Sequence, residues 1–262
     1  MSGPAAVTAL VLLECATGLV AGAAWTQSWR VVRRGHFRIA AWSAFALACL
    51  AVAAQRGALD GAQDDTPARA LALATAVGAG LYLLAQYVRS DSVGVITGAL
   101  AGAVGAAALA ASAGLVAGWP GPLAALGLVA GAALVGATVN GMLLGHWYLN
   151  QPGLQPWALA RLTGAGLVAV VAAALLGLAA APRLADASTE GAVLGLPGYG
   201  SSFGAVFFAV WLGLVGLTGA VVGMARRCVR IRSIQSATGL LYVAVVTAAV
   251  AEFVVRFLMT NA

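Results

Sequence analysis

Glu14 interrupts an apolar run over residues 5–25, and Glu252 interrupts another over residues 238–259, with Arg256 one helical turn further on. Their neighbours are mostly Ala, Leu, Val and Gly. A charged side chain at membrane depth costs at least about 2.5–3.5 kcal/mol, so such residues are usually paired, turned inward and functional. Two readings are open. In one, Glu252 and Arg256 form an i,i+4 ion pair that locks helix packing, with Glu14 protonated or hydrogen-bonded. In the other, a carboxyl kept from water takes up a proton beside a quinone or ion site, a task suited to a buried acid near neutral pH.

His146 is a second focus, in Asn140-Gly-Met-Leu-Leu-Gly-His146-Trp147-Tyr148-Leu-Asn150. Imidazole can hydrogen-bond a quinone carbonyl and move a proton, while Trp147 and Tyr148 suit the aromatic belt of a membrane interface. Asn140 lies seven residues before Trp147, on the same helical face. Tyr82 and Gln86 are spaced i,i+4 on another segment. Each alone reads as interhelical glue. Together with His146 they would line a pocket with a polar head end and an apolar body, as a quinone requires. A haem on His36 and His146 is a poor fit to the basic stretch that holds His36. With so few His, Cys and Met, no metal is expected in this chain.

The elements that position these residues are membrane helices. The chain of 262 residues is 62% hydrophobic and 8% charged, against roughly a quarter charged in soluble domains. Eight segments reach the roughly 20 apolar residues of a bilayer span: about 5–27, 38–55, 69–88, 93–118, 121–149, 157–181, 203–225 and 235–259. Trp119-Pro120-Gly121-Pro122 and Gln151-Pro152-Gly153 break the pattern, and 183–202, with Pro197-Gly198-Tyr199-Gly200, is the longest loop. The expectation is an all-α, polytopic bundle of eight transmembrane helices forming one integral membrane domain over 1–262. The first span has no basic stretch ahead of it, so it is expected to be a retained helix rather than a signal peptide. Cys15, Cys49 and Cys228 are far apart and form no CxxC motif, which gives little support to disulfides, zinc or covalent haem.

Charge sets the expected orientation. All 14 basic residues are Arg. With so much Ala and Gly, this looks like the codon bias of a GC-rich bacterium. The odd-numbered loops carry ten of them: Arg30, Arg33, Arg34, Arg38, Arg89, Arg161, Arg226, Arg227, Arg230 and Arg232. The even loops carry Arg56, Arg69 and Arg183 and most of the acids, Asp60, Asp64, Asp65, Asp186 and Glu190. The positive-inside rule then places odd loops in the cytoplasm and both termini outside. The net charge of +6 therefore reads as a topology signal, with no nucleic-acid partner. At about 1.5 Å per residue, Glu14 and Glu252 fall at similar depth, about 10–14 Å below the outer surface.

Glu14, Gly18 and Gly22 share one face of the first span, and the small residues make a groove for another helix. The first and last spans are therefore expected to be neighbours, with Glu14 and Glu252 in or near one pocket. Similar small-residue spacings occur at Gly127/Gly131 and Gly141/Gly145. Ser92-Val-Gly-Val-Ile-Thr97-Gly98 echoes Ser233-Ile-Gln-Ser-Ala-Thr238-Gly239. The echo fits either a 4+4 parallel repeat or chance similarity between two Ser-initiated helices.

The eight-span layout resembles the membrane-anchor subunits of molybdenum oxidoreductases, the DmsC/NrfD-like family. At the level of residues, the likeness rests on the two ends: Leu12-Leu13-Glu14 through Gly18, Arg34-Gly35-His36-Phe37, and Gly239-Leu-Leu-Tyr242 through Glu252-Phe-Val-Val-Arg256. Gly145-His146-Trp147-Tyr148-Leu149 is not part of it. The resemblance implies quinone or quinol as the only ligand of this chain. It also implies an iron–sulfur or cytochrome partner in a separate chain outside the bilayer. The leading expectation is thus a quinone-binding, partner-anchoring subunit of a respiratory or electron-transfer complex, a hetero-oligomer in a bacterial cytoplasmic (inner) membrane. The alternatives are a small-molecule, ion or proton transporter, and a purely structural subunit.

Overall fold

Inside a bilayer no water is present to satisfy backbone N–H and C=O groups, so the chain must close its hydrogen bonds within helices. In the computed structural model, which describes residues 1–59, 65–88, 90–151, 153–185 and 203–261, it does so in nine helices. They are α1 Gly3–Ser28, α2 Arg34–Ala58, α3 Thr66–Ala85, α4 Asp91–Ala113, α5 Gly121–Trp147, α6 Trp157–Ala179, α7 Ala181–Ala185, α8 Phe203–Arg230 and α9 Ile234–Thr260. Eight are long and apolar enough to cross a membrane, the eight expected; α7 is a five-residue addition. Among the described residues there is no strand. Most of the loop at 183–202, together with Asp60, Asp64, Arg89, Asp186 and Glu190 of the charge count, lies outside them.

Helix ends follow the local chemistry. Pro4, Pro67 and Pro122 sit in the first turns of α1, α3 and α5, where the missing N–H costs nothing. Arg30 and Arg232, with φ of 57° and 60°, follow α1 and α8. α2 begins four residues earlier than expected, and α8 runs to Arg230. Arg is a good helix former whose stem lies along apolar surface while its head reaches water. Arg34, Arg38, Arg226, Arg227 and Arg230 therefore belong to helical turns.

The helices form two rings of four. α1 packs on α2 and α4, and α3 packs on α2 and α4. In the second ring α5 packs on α6 and α9, and α8 packs on α6 and α9. The rings meet chiefly at α1 and α5, flanked by α4 on α5 and α1 on α9. At the α1–α5 crossing, a Cβ on Gly18 would strike the Ala132 carbonyl, and one on Gly136 would strike the Gly18 backbone. This close approach fits the groove expected from Gly18 and Gly22.

One end of the bundle gathers the loops after α1, α3 and α5. Arg34 pairs with Asp91 at 3.1 Å and donates to the Val88 carbonyl. Gln151 donates to the Val31 carbonyl at 2.7 Å and accepts from the Arg33 N–H at 2.9 Å. The other end holds both termini: the Met1 amine donates to the Leu115 carbonyl at 2.6 Å, and Val7 of α1 packs with Phe257 of α9.

Candidate functional site

Arg256 stands on α9 where α1 and α5 converge, and it brings the two acids together. Its Nε donates to Glu14 Oε1 at 2.8 Å, and its Nη2 lies 2.7 Å from the same oxygen. Nη2 also donates to Glu252 Oε2 at 2.6 Å and to the Gly127 carbonyl at 3.0 Å. All three side chains are buried. The neighbouring helix makes room by omission. A Cβ on Gly131 would run into Glu252 Oε2, Arg256 Nη2 and Glu14 Oε1. The expected adjacency of the first and last spans, with Glu14 and Glu252 in one cluster, is what the structure has.

The charges of this cluster do not cancel. Two carboxylates face one guanidinium, so the fully ionised cluster carries one net negative charge, and one added proton makes it neutral. Net charge in a dry interior is costly, which makes proton uptake the simplest chemistry open to it. Glu14 Oε2 is buried and has no hydrogen-bond partner among the described residues.

A cavity of about 30 Å³ lies beside the cluster, inside the second ring. Glu252 and Arg256 line it with Trp119, Gly127, Trp211 and Met259. By volume it has room for about one or two water molecules and is far smaller than a quinone ring. A larger, apolar groove of about 310 Å³ is lined by Thr17, Gly18, Gly22 and Trp25 of α1 with residues of α4, α5 and α6. Thr17, three residues from Glu14, has a buried hydroxyl that lies against Gly105 of α4 and has no partner among the described residues.

The pocket expected around His146 is not assembled. His146 is exposed. Tyr82 and Gln86 are buried, and Gln86 exchanges amide hydrogen bonds with Gln27 of α1 at 3.1 and 3.3 Å. Asn140 donates to the Leu19 carbonyl at 3.2 Å and to that of Gly136 at 2.8 Å. The reason is helix order. α3 packs on α1, α2 and α4, so its polar face meets α1 before it can reach α5. Trp147 stacks near His36 at 6.1 Å and donates to Gln151 at 3.1 Å, while Tyr148 donates to the Gln155 carbonyl at 2.8 Å. The buried histidine is His36, whose Nε2 has no partner among the described residues. Among the described residues, no three His, Cys, Asp or Glu are grouped so as to hold a metal.

Sequence reasoning passed over Gln27, Trp119 and Trp211 as site residues and noted Gly131 only as a small residue. Gln27 had a signal, an amide near the end of an apolar span. Trp211 had one too: it lies eight residues inside α8, away from the interface where Trp concentrates. No protein-family model matches the chain, and neither a curated protein nor a solved structure matches it.

Proposed function

We propose that this multi-pass membrane protein is the integral subunit of a bacterial electron-transfer complex, and that the Glu14–Arg256–Glu252 cluster accepts a proton released when quinol is oxidised. The observation that carries this reading is the unbalanced charge: two buried carboxylates share one guanidinium. The apolar groove beside Thr17 is of a size that suits a quinone ring. The resemblance of both chain ends to the quinone-interacting anchors agrees with it. In this reading both termini face outward and the redox partner, an iron–sulfur or cytochrome protein, docks in a separate chain. The parallel 4+4 repeat belongs to the same proposal, since Ser92 and Ser233 each sit at the start of the helix that closes its ring.

A second reading, a proton or small-cation transporter, is favoured by the cavity beside the cluster, which is sized for water rather than a ring. Purification from the native membrane in mild detergent separates the two. Copurifying redox chains identified by mass spectrometry, with bound quinone, support the first. A lone, quinone-free protein that moves protons or cations in liposomes overturns it. Within the first reading, Glu252→Gln slows quinol turnover more than it lowers the amount of assembled complex. Equal loss of both would mean that the cluster only holds the helices together.

A further inference from the structure

Arg256 spends its donors unevenly. Nε and Nη2 are fully engaged with oxygen acceptors, but the only protein acceptor of Nη1 among the described residues is Met259 Sδ at 3.8 Å, and a thioether is a weak acceptor. Nη1 is also the nearest atom to the space where a Gly127 Cβ would stand, at 3.8 Å. That space borders the cavity of the second ring. Trp119 and Trp211 line the same cavity, and the Nε1 of each is buried without an acceptor among the described residues. An unmade hydrogen bond at a buried N–H costs about 1–3 kcal/mol. Two such donors, on Trp119 and Trp211, thus belong to residues that line, with Arg256 and Glu252, a cavity of about 30 Å³. A buried water needs 2–4 polar partners and at least about 10–15 Å³. Water, both donor and acceptor, is the ligand that meets this set.

The cavity also has a direction. Its lining descends α9 from Met259 to Glu252, about 10 Å of helix. Trp119, in the loop before α5, and Leu184 of α7 lie at the end of the bundle that holds both termini. The apolar lining elsewhere, including Leu123, Leu176 and Val255, offers no competing partners. We infer that this cavity is hydrated and forms the inner part of a passage that leads from the Glu14–Arg256–Glu252 cluster towards the side of the termini, with water held by Trp119, Trp211 and Arg256 Nη1. The inference rests on the proton-accepting role proposed above, for which it supplies the route of exchange.

Hydroxyl-radical footprinting by X-ray radiolysis of the purified full-length protein tests it, because radicals formed from bound water label the side chains beside that water. Rates at Trp211 and Met259 are divided by the rates of the same residues in the SDS-unfolded protein. They are then compared with Phe37, which is equally buried in the other ring. A hydrated passage gives normalised rates at Trp211 and Met259 at least tenfold above Phe37. It also gives a several-fold fall at both in Gly127→Ala, whose methyl meets only Arg256 Nη1 at 3.8 Å and so fits without disturbing the fold. Rates at the level of Phe37 in the unsubstituted protein overturn the passage. Infrared spectra recorded against pH keep this separate from the role of the cluster. A protonated-carboxyl band that titrates, and is lost in Glu14→Gln or Glu252→Gln, supports proton uptake whatever the footprint shows. Labelled tryptophan and methionine without any such band leave a wet cavity and overturn proton uptake.

Discussion

Glu14 and Arg256 are 242 positions apart in the chain and 2.8 Å apart in space. Their contact ties the first helix to the last and so joins the two four-helix rings at a point where α5 places Gly131 against the charged atoms. Between apolar helices, lipid removes the hydrophobic drive to associate, and close packing and polar contacts take over. The same bond therefore serves assembly and places two carboxylates on one cation.

Removing the cation should be far worse than removing the whole cluster. Arg256→Met leaves two buried carboxylates without a partner, a class of change that costs about 3–5 kcal/mol. Replacing all three, with Glu14→Gln, Glu252→Gln and Arg256→Met together, removes the charges as well and should recover most of the loss. SDS-titration unfolding in mixed micelles measures both. An Arg256→Met protein within about 1 kcal/mol of the unsubstituted one would contradict the arrangement, since breaking a buried pair is expected to be strongly destabilising.

Two glycines one turn apart on α5 should respond in opposite ways. At Gly131 a Cβ meets three charged atoms at once, whereas at Gly127 it meets one at 3.8 Å. Gly131→Ala is expected to destabilise by about 1–3 kcal/mol, the usual range for overpacking. Gly127→Ala should be neutral or slightly stabilising, because Ala is the better helix former. Thermal unfolding of the two variants in detergent gives the comparison, and equal melting temperatures would show that Gly131 does not border the cluster.

The fold was legible because apolar length and the Pro-Gly breaks are local signals: residues such as Pro120 and Pro122 mark a helix start whatever the tertiary structure. The Glu14–Glu252 neighbourhood was legible for a different reason. A charge inside a span needs a partner, the chain offers few, and counting helix rise puts these at one depth. The grouping of Tyr82 and Gln86 with His146 was not legible. Periodicity says which residues share a face but not which helix that face meets, and here α1 takes the position facing α3. Likewise, nothing in the sequence around Gly131 distinguishes it from the other small residues; its meaning depends on two helices more than a hundred residues away in either direction.

Gln27 and Gln86 form a reciprocal amide pair, so a double-mutant cycle should expose it. Either single change to Leu leaves one buried amide without its partner, at a cost of about 1–3 kcal/mol. The double change to Leu should cost less than the sum, by about 0.6 kcal/mol, the average for interhelical hydrogen bonds in membranes, and by about 1.7 kcal/mol at most. His146→Ala, at an exposed position, should leave stability within about 0.5 kcal/mol of the starting protein. Additive single and double costs would mean that the two glutamines do not face each other.

The end of the bundle that faces the cytoplasm decides where the acid cluster works. Arg30, Arg33, Arg34 and Arg38 precede or open α2, and Arg226, Arg227 and Arg230 close α8, with Arg232 just after it, at the same end. That Arg excess predicts a cytoplasmic location for this end, and with it an outward location for the termini and for the cavity beside Glu252. Single-cysteine variants on a background lacking Cys15, Cys49 and Cys228 test this. Ser2→Cys and Asn150→Cys are suited to it, since both positions are exposed and at opposite ends. In intact cells a membrane-impermeant maleimide should label Ser2→Cys, and it should reach Asn150→Cys only after permeabilisation. The reverse pattern would place the cluster in the inner half of the bilayer, where it would exchange protons with the cytoplasm and could not release them outside during quinol oxidation.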